Sequence, residues 1–154
     1  MSDDTLGDVC TVEQVLDSTL ESVDVAELLV MDLARSAGFD EDDLMGISLA
    51  VRECLVNAVK HGNRFSELKK VRFQVLQAPN RITVKIGDEG AGFKLEDVPD
   101  PLAEENLMRS SGRGLFLIRA FVDEFTVRGL EPHGTEVTLI KSRANGHPPS
   151  SPPG

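Results

Sequence analysis

Apolar residues recur at helical spacing early in the chain. Ala26, Leu29, Val30, Leu33 and Ala37 fall at i, i+3, i+4, i+7 and i+11, which is one face of a helix. The spacing predicts a helix from Val25 to Ala37, capped by Asp24 and ended by Gly38. A second helix follows at once. Asp40 caps it, and Glu41, Asp42 and Asp43 set negative charge against the positive end of its dipole. It runs to about His61, where Gly62 stops it. Between Ile47 and Val59 the segment is apolar nearly all round, the pattern of a buried helix.

Beyond Gly62 the period shortens to two. Val71, Phe73 and Val75 alternate with polar residues, and so do Ile82, Val84 and Ile86. Ala78-Pro79-Asn80 reads as the hairpin connection between two strands. An irregular stretch rich in Gly, Pro and charge spans Asp88 to Ser111. A third helix is expected from about Gly114 to Asp123, then strands over Phe125 to Leu130 and Glu136 to Lys141, joined through Pro132-His133-Gly134. Val9 to Val15 adds an edge strand. The order of helices, hairpin, excursion, helix, hairpin predicts an α+β fold, a two-layer sandwich. Its sheet is mixed but mostly antiparallel, covered on one face by about three helices. The strand–helix alternation of a doubly wound sheet is absent.

With 154 residues, the chain is sized for one domain that buries a core without staples. Residues 1–8 read as a loose acidic tail. Residues 142–154 carry four prolines with Ser and Gly, a composition that cannot bury a core. The folded unit is expected over 9–141. The apolar share of 40% and charged share of 27% are those of an ordinary soluble globule. A net charge of −10 and the lack of Trp and Tyr argue against nucleic-acid binding. The charge suits a basic protein partner, and equally suits simple solubility. Cys10 and Cys54 have no metal-type spacing and are expected to stay reduced in a cytoplasm. The acidic N-terminus is not a signal peptide, and no apolar run is long enough to span a bilayer.

Three clusters carry candidate chemistry. On the second helix, Glu53 and Asn57 share a face at i, i+4 within the apolar stretch. A buried carboxylate and amide need partners, and a cavity holding Mg²⁺ and phosphates supplies them. Asn57 offers the hard carbonyl oxygen that Mg²⁺ prefers. Glu53 is placed to take a proton from an incoming hydroxyl. Alone, the pair fits an exposed face of an ordinary helix equally well. The second cluster, Gly87-Asp88-Glu89-Gly90-Ala91-Gly92-Phe93, directly follows a strand. The Asp88 carboxylate suits the exocyclic amine of adenine, and Gly90 and Gly92 let the backbone approach a flat base. Alone it is also a common turn. The third cluster, Arg109-Ser110-Ser111-Gly112-Arg113-Gly114-Leu115, opens a helix, where free N–H groups make an anion site. Arg109 and Arg113 suit terminal phosphate oxygens or a solvated loop. It is neither a P-loop nor a dinucleotide fingerprint.

Each cluster is weak singly; their order is distinctive. Glu-x-x-x-Asn-Ala-x-x-His-Gly, then Asp-x-Gly-x-Gly-Phe, then Ser-Gly-x-Gly-Leu, then His-Gly-Thr before a last strand resembles the ATP-binding domain shared by gyrase, MutL and the sensor histidine kinases. More closely, it looks like the anti-sigma factor serine/threonine kinases of bacterial sporulation and stress control. The resemblance spans about Val12 to Lys141. Arg52-Glu53 with Asn57, and Ala120 to Glu124, favour that branch.

The resemblance implies ATP and Mg²⁺ as cofactors, Asn57 as metal ligand and Glu53 as the base toward a serine hydroxyl. It implies Asp88 as the reader of adenine, with Thr135 behind it. Gly90, Gly92, Phe93, Arg109, Ser111, Gly112, Arg113, Gly114 and Leu115 complete the nucleotide site, under a lid over Lys94 to Ser111. It implies a cytoplasmic homodimer that holds a sigma factor inactive and phosphorylates a STAS-type anti-sigma factor antagonist. There is one departure. The family's lid arginine directly precedes Ser-Gly-x-Gly; here Ser110 stands there, with Arg109 one residue earlier. The alternative is a regulatory module that binds nucleotide and protein partners without phosphoryl transfer. A detached catalytic domain of a histidine kinase ranks third, because no helical hairpin carrying a substrate His appears in the first 40 residues.

Overall fold

The computed structural model describes residues 10–90 and 121–143. Its elements run β1 (Cys10–Asp17), α1 (Leu20–Ser36), α2 (Glu41–Val56), a π-helical turn (Asn57–Gly62), β2 (Lys70–Ala78), β3 (Arg81–Asp88), β4 (Glu124–Gly129) and β5 (Thr135–Ser142). The strands form one sheet in the order β1-β2-β3-β5-β4. Every pairing among them is antiparallel. The expected mixed sheet is therefore corrected to an antiparallel one among the described residues. The α+β class holds. Of the three expected helices, the third lies mostly outside the described residues.

The edge strand expected over Val9 to Val15 is β1, and it extends to Asp17. The hairpin between β2 and β3 turns through Pro79 and Asn80, and Asn80 takes φ 67°. Asn tolerates this left-handed conformation better than most residues. The β4–β5 connection closes with the Leu130 N–H donating to the Gly134 carbonyl at 3.0 Å.

Alternate residues of the central strands face the helices. Val71, Phe73 and Val75 of β2, Ile82, Val84 and Ile86 of β3, and Leu139 of β5 are all buried. Val23, Ala26, Val30 and Ala34 of α1 cover them, along with Ile47, Ala50, Val51, Cys54 and Leu55 of α2. Burying each large side chain contributes ~1.5–3 kcal/mol, so this single layer is the main source of stability. Leu29 and Leu33, expected in the core, are only partly buried. The smaller Ala26 and Ala34 take the innermost positions and let α1 approach the sheet.

The start of α1 is corrected. The helix begins at Leu20, and Thr19 caps it by accepting the Ser22 N–H at 3.1 Å. Thr19 satisfies a free amide of the first turn earlier than Asp24 does. Asp24 instead accepts from Arg52 of α2 at 2.7 Å. Asp40 caps α2 as expected, accepting the Asp43 N–H at 2.9 Å. Gly38, at φ 99°, makes the bend between the helices. The end of α2 is also corrected. Its α-helical hydrogen bonding stops at Val56, and the chain continues to Gly62 as the π-helical turn. Leu49, within the stretch read as buried, is 40% exposed on the outer side.

Candidate functional site

Glu53 lies in the last turn of α2. The Asn57 N–H donates back to the Glu53 carbonyl, so the two side chains stack one turn apart on one face. Glu53 Oε2 and Asn57 Oδ1 are both fully buried, with no hydrogen-bond partner among the described residues. Leaving such an acceptor buried and unmade costs ~1–3 kcal/mol. Two adjacent unpaired acceptors, one of them a carboxylate oxygen, are complementary to a cation or a strong donor. Beside them, Cys54 is buried, and burial pushes its thiol well above the usual value. A thiol so held is inert as a nucleophile.

From Asn57 the chain widens into the π-helical turn, and the Asn63 N–H reaches back to the Ala58 carbonyl at 2.8 Å. Such turns are rare and concentrate at functional sites. This one carries the chain from Asn57 to the end of β3. Gly62 arrives directly against Asp88: a Cβ at Gly62 would collide with the Asp88 carboxylate.

Asp88 is the last residue of β3 and pairs with Thr135, the first of β5. Its carboxylate accepts the Gly90 N–H at 2.9 Å, and the Thr135 backbone lies alongside across the β3–β5 pairing. Burial pushes the carboxyl above the ordinary carboxylate value. The Gly90 and Thr135 amides and the charge of Lys69 pull against that rise. Gly134, at φ 112°, passes close beneath the Asp88 carbonyl, where a side chain would clash. His133 Nδ1 lies 3.2 Å from the Gly90 carbonyl.

Two groups of predicted residues are thus brought to one region. Glu53 and Asn57 form one end, and Asp88, Gly90 and Thr135 form the other. The single turn Asn57–Gly62 joins them. Gly92, Phe93, Arg109, Ser111, Gly112, Arg113, Gly114, Leu115 and the lid over Lys94 to Ser111 lie outside the described residues. Sequence reasoning took Gly62 as a helix stop and as the last residue of the first motif, and passed over Asn63, which is 1% exposed. The signal was available, since an Asn directly after a helix-ending Gly is a polar residue at a chain reversal.

A histidine kinase-like ATPase domain matches residues 16–141. A serine-protein kinase RsbW of Staphylococcus epidermidis is 31% identical over 137 residues, covering 84% of this chain and 85% of the relative. A serine-protein kinase RsbW of Listeria monocytogenes is 27% identical over 143 residues, covering 89% and 88%. In fold, the chain is similar to the mycobacterial sensor histidine kinase MprB, with a TM-score of 0.51 and 22% identity over 86% of this chain and 99% of that one. Sheet, helix pair and site define a histidine kinase-like ATPase domain. The chain belongs to that family, on the branch of the RsbW-type serine-protein kinases. The resemblance drawn from the order of the motifs is borne out. No helix among the described residues is long and apolar enough to cross a membrane.

Proposed function

We propose that this chain binds ATP with Mg²⁺ and transfers the γ-phosphoryl group to a serine or threonine of an anti-sigma factor antagonist. Its other partner is a sigma factor, which it holds inactive as a cytoplasmic homodimer. The observation that carries this reading is the pair of buried, partnerless oxygens, Glu53 Oε2 and Asn57 Oδ1, in a chain similar to serine-protein kinases.

The donor set fits Mg²⁺. Among the described residues, no group of three or more His, Cys, Asp or Glu forms a cage. Mg²⁺ is normally bound by one or two protein oxygens together with phosphates and water, which is what Asn57 offers. When bound, the ion supplies charge neutralisation across the phosphate oxygens. Asp88 accepts the exocyclic amine of adenine, and the Gly90 amide holds its carboxylate in place. Glu53 takes the proton from the acceptor hydroxyl. The hydroxyl oxygen forms a bond to the γ-phosphorus as the bridging P–O bond breaks, and ADP departs.

The test is Glu53→Gln, assayed twice. ATP affinity by calorimetry should stay within a few-fold of wild type. Phosphorylation of the cognate antagonist with labelled ATP should fall by ~10²–10⁴, the usual worth of a positioned base. Transfer at the wild-type rate would remove Glu53 as the base. A second reading, a nucleotide-binding regulator without phosphoryl transfer, is favoured by Ser110 standing where the family has an arginine. A wild type that binds ATP and labels no Ser or Thr on any candidate partner would select it.

A further inference from the structure

Asn63 is the most connected polar side chain in the neighbourhood of the candidate site, and none of the chemistry above uses it. Its amide lies at the junction of four chain segments and is 1% exposed. The Nδ2 group donates to Ser18 Oγ at 2.9 Å and to the Lys70 carbonyl at 3.0 Å. The Oδ1 atom accepts the backbone N–H of Glu89 at 2.8 Å. Ser18 Oγ in turn donates to the Lys69 carbonyl at 2.5 Å. One amide thus ties the β1–α1 junction and the start of β2 to the residue directly after Asp88.

The backbone around Asn63 is held just as tightly. Its N–H bonds Ala58, and its carbonyl accepts the Ser66 N–H at 3.0 Å. Arg64 and Phe65, the next two residues, sit at φ 53° and φ 58°. Two consecutive non-glycine residues in the left-handed region are strained. They persist only where the surroundings fix them.

A bond to the Glu89 amide acts on Asp88 through geometry. The Asp88 carboxylate accepts the Gly90 amide at 2.9 Å, so its direction depends on where the Glu89–Gly90 backbone runs. Asn63 Oδ1 is the described side-chain group that fixes that backbone on the side facing the helices.

We propose that Asn63 is a positioning residue for base selectivity. By clamping the Glu89 amide, it holds the Asp88 carboxylate in the one orientation that meets a 6-amino group and rejects a 6-oxo group. This rests on the nucleotide reading above.

The experiment compares ATP with ITP, which carries an oxo group in place of the amine. Wild type should bind ATP at least about tenfold tighter, the worth of one charged hydrogen bond. Asn63→Ala should bring the ratio to within about threefold. Ser18→Ala removes hydrogen bonds on the far side of the same amide. It should lower the melting temperature and leave the ATP/ITP ratio unchanged. A folded Asn63→Ala variant with the wild-type ratio would overturn the inference. So would an equal loss of ratio in Ser18→Ala, which would mark a purely structural effect. If Asn63→Ala does not fold, hydrogen exchange of the Glu89 amide in the nucleotide-free wild type decides: fast exchange overturns the clamp, and protection supports it. A wild type that binds neither nucleotide fails the underlying nucleotide reading and this inference with it. A wild type that discriminates while Asn63→Ala does so equally fails this inference alone.

Discussion

Gly62 and Gly90 pack back to back, so that a Cβ on Gly90 would overlap the carbonyl oxygen of Gly62, and one on Gly62 would overlap the Asp88 carboxylate. The obstacle differs in kind. At Gly90 it is backbone, which cannot yield without moving the π-helical turn; at Gly62 it is a side chain. Gly90→Ala is therefore expected to destabilise the fold by ~1–3 kcal/mol, the range for forced overpacking. Gly62→Ala should cost less stability but displace Asp88 and weaken ATP binding. Thermal melts and calorimetry on both variants check this. Equal stability losses with unchanged ATP affinity in Gly62→Ala would contradict it.

Asp88 is a carboxyl held in a buried place, and its titration bears on stability. Its carboxyl is raised above the ordinary 3.8 chiefly by burial. A raised folded-state value means that the native protein holds the proton more tightly than the unfolded chain. The contribution to stability is then present at low pH and lost as pH rises through the folded value. Asp88→Asn removes this titration. Relative to that variant, the nucleotide-free wild type should lose stability as pH rises from about 4 and then level off. ATP affinity of the variant should fall by about tenfold or more. A wild type that gains stability on the variant with rising pH would reverse the sign and refute the burial effect.

Asn57 carries a buried oxygen without a partner among the described residues. Asn57→Ala removes that cost and adds helix propensity. The nucleotide-free variant should melt no lower than wild type, and up to ~4 °C higher. The Mg²⁺ dependence of its ATP binding should vanish. Calorimetry with and without Mg²⁺ is the measurement. Full retention of the metal dependence would exclude Asn57 as the ligand.

Gly46 of α2 lies under the ring of Phe121, and a Cβ there would meet the ring carbons. Ala is ordinarily the better helix former by ~1 kcal/mol. Here the clash should outweigh that gain, and Gly46→Ala should lower stability. Pairing it with Phe121→Leu should recover part of the loss. Denaturant melts of the two single variants and the double variant test the coupling; simple additivity would show that the two residues do not oppose each other.

Much of this protein was legible in the sequence. The change of period from helical to alternating separates the helices from the sheet, and Asp40 marks its helix start correctly. The order of the motifs identifies the family; Glu53, Asn57, Asp88 and Gly90 stand out by type and spacing, and the resemblance adds Thr135. These features are local: a repeat or a cap depends on neighbours along the chain. The start of α1 was missed because Thr19 and Asp24 are both good caps, and the choice between them is made by Arg52, far away in sequence, which takes Asp24 as its partner.

Tertiary structure alone decided the rest. Nothing in the periodicity announces that α2 loosens into a π-helical turn at Asn57, because the widening depends on where β3 ends in space. The sequence marks Gly62 as a stop and leaves Asn63 unremarked. Their places beside Asp88 and Glu89 exist only once the helix layer has docked on the sheet. The residues of a site can be read from their chemistry one at a time, but the clearances and hydrogen bonds that aim them join segments distant along the chain. Those come into being only when burial of Val71, Phe73, Val75 and their partners brings those segments together.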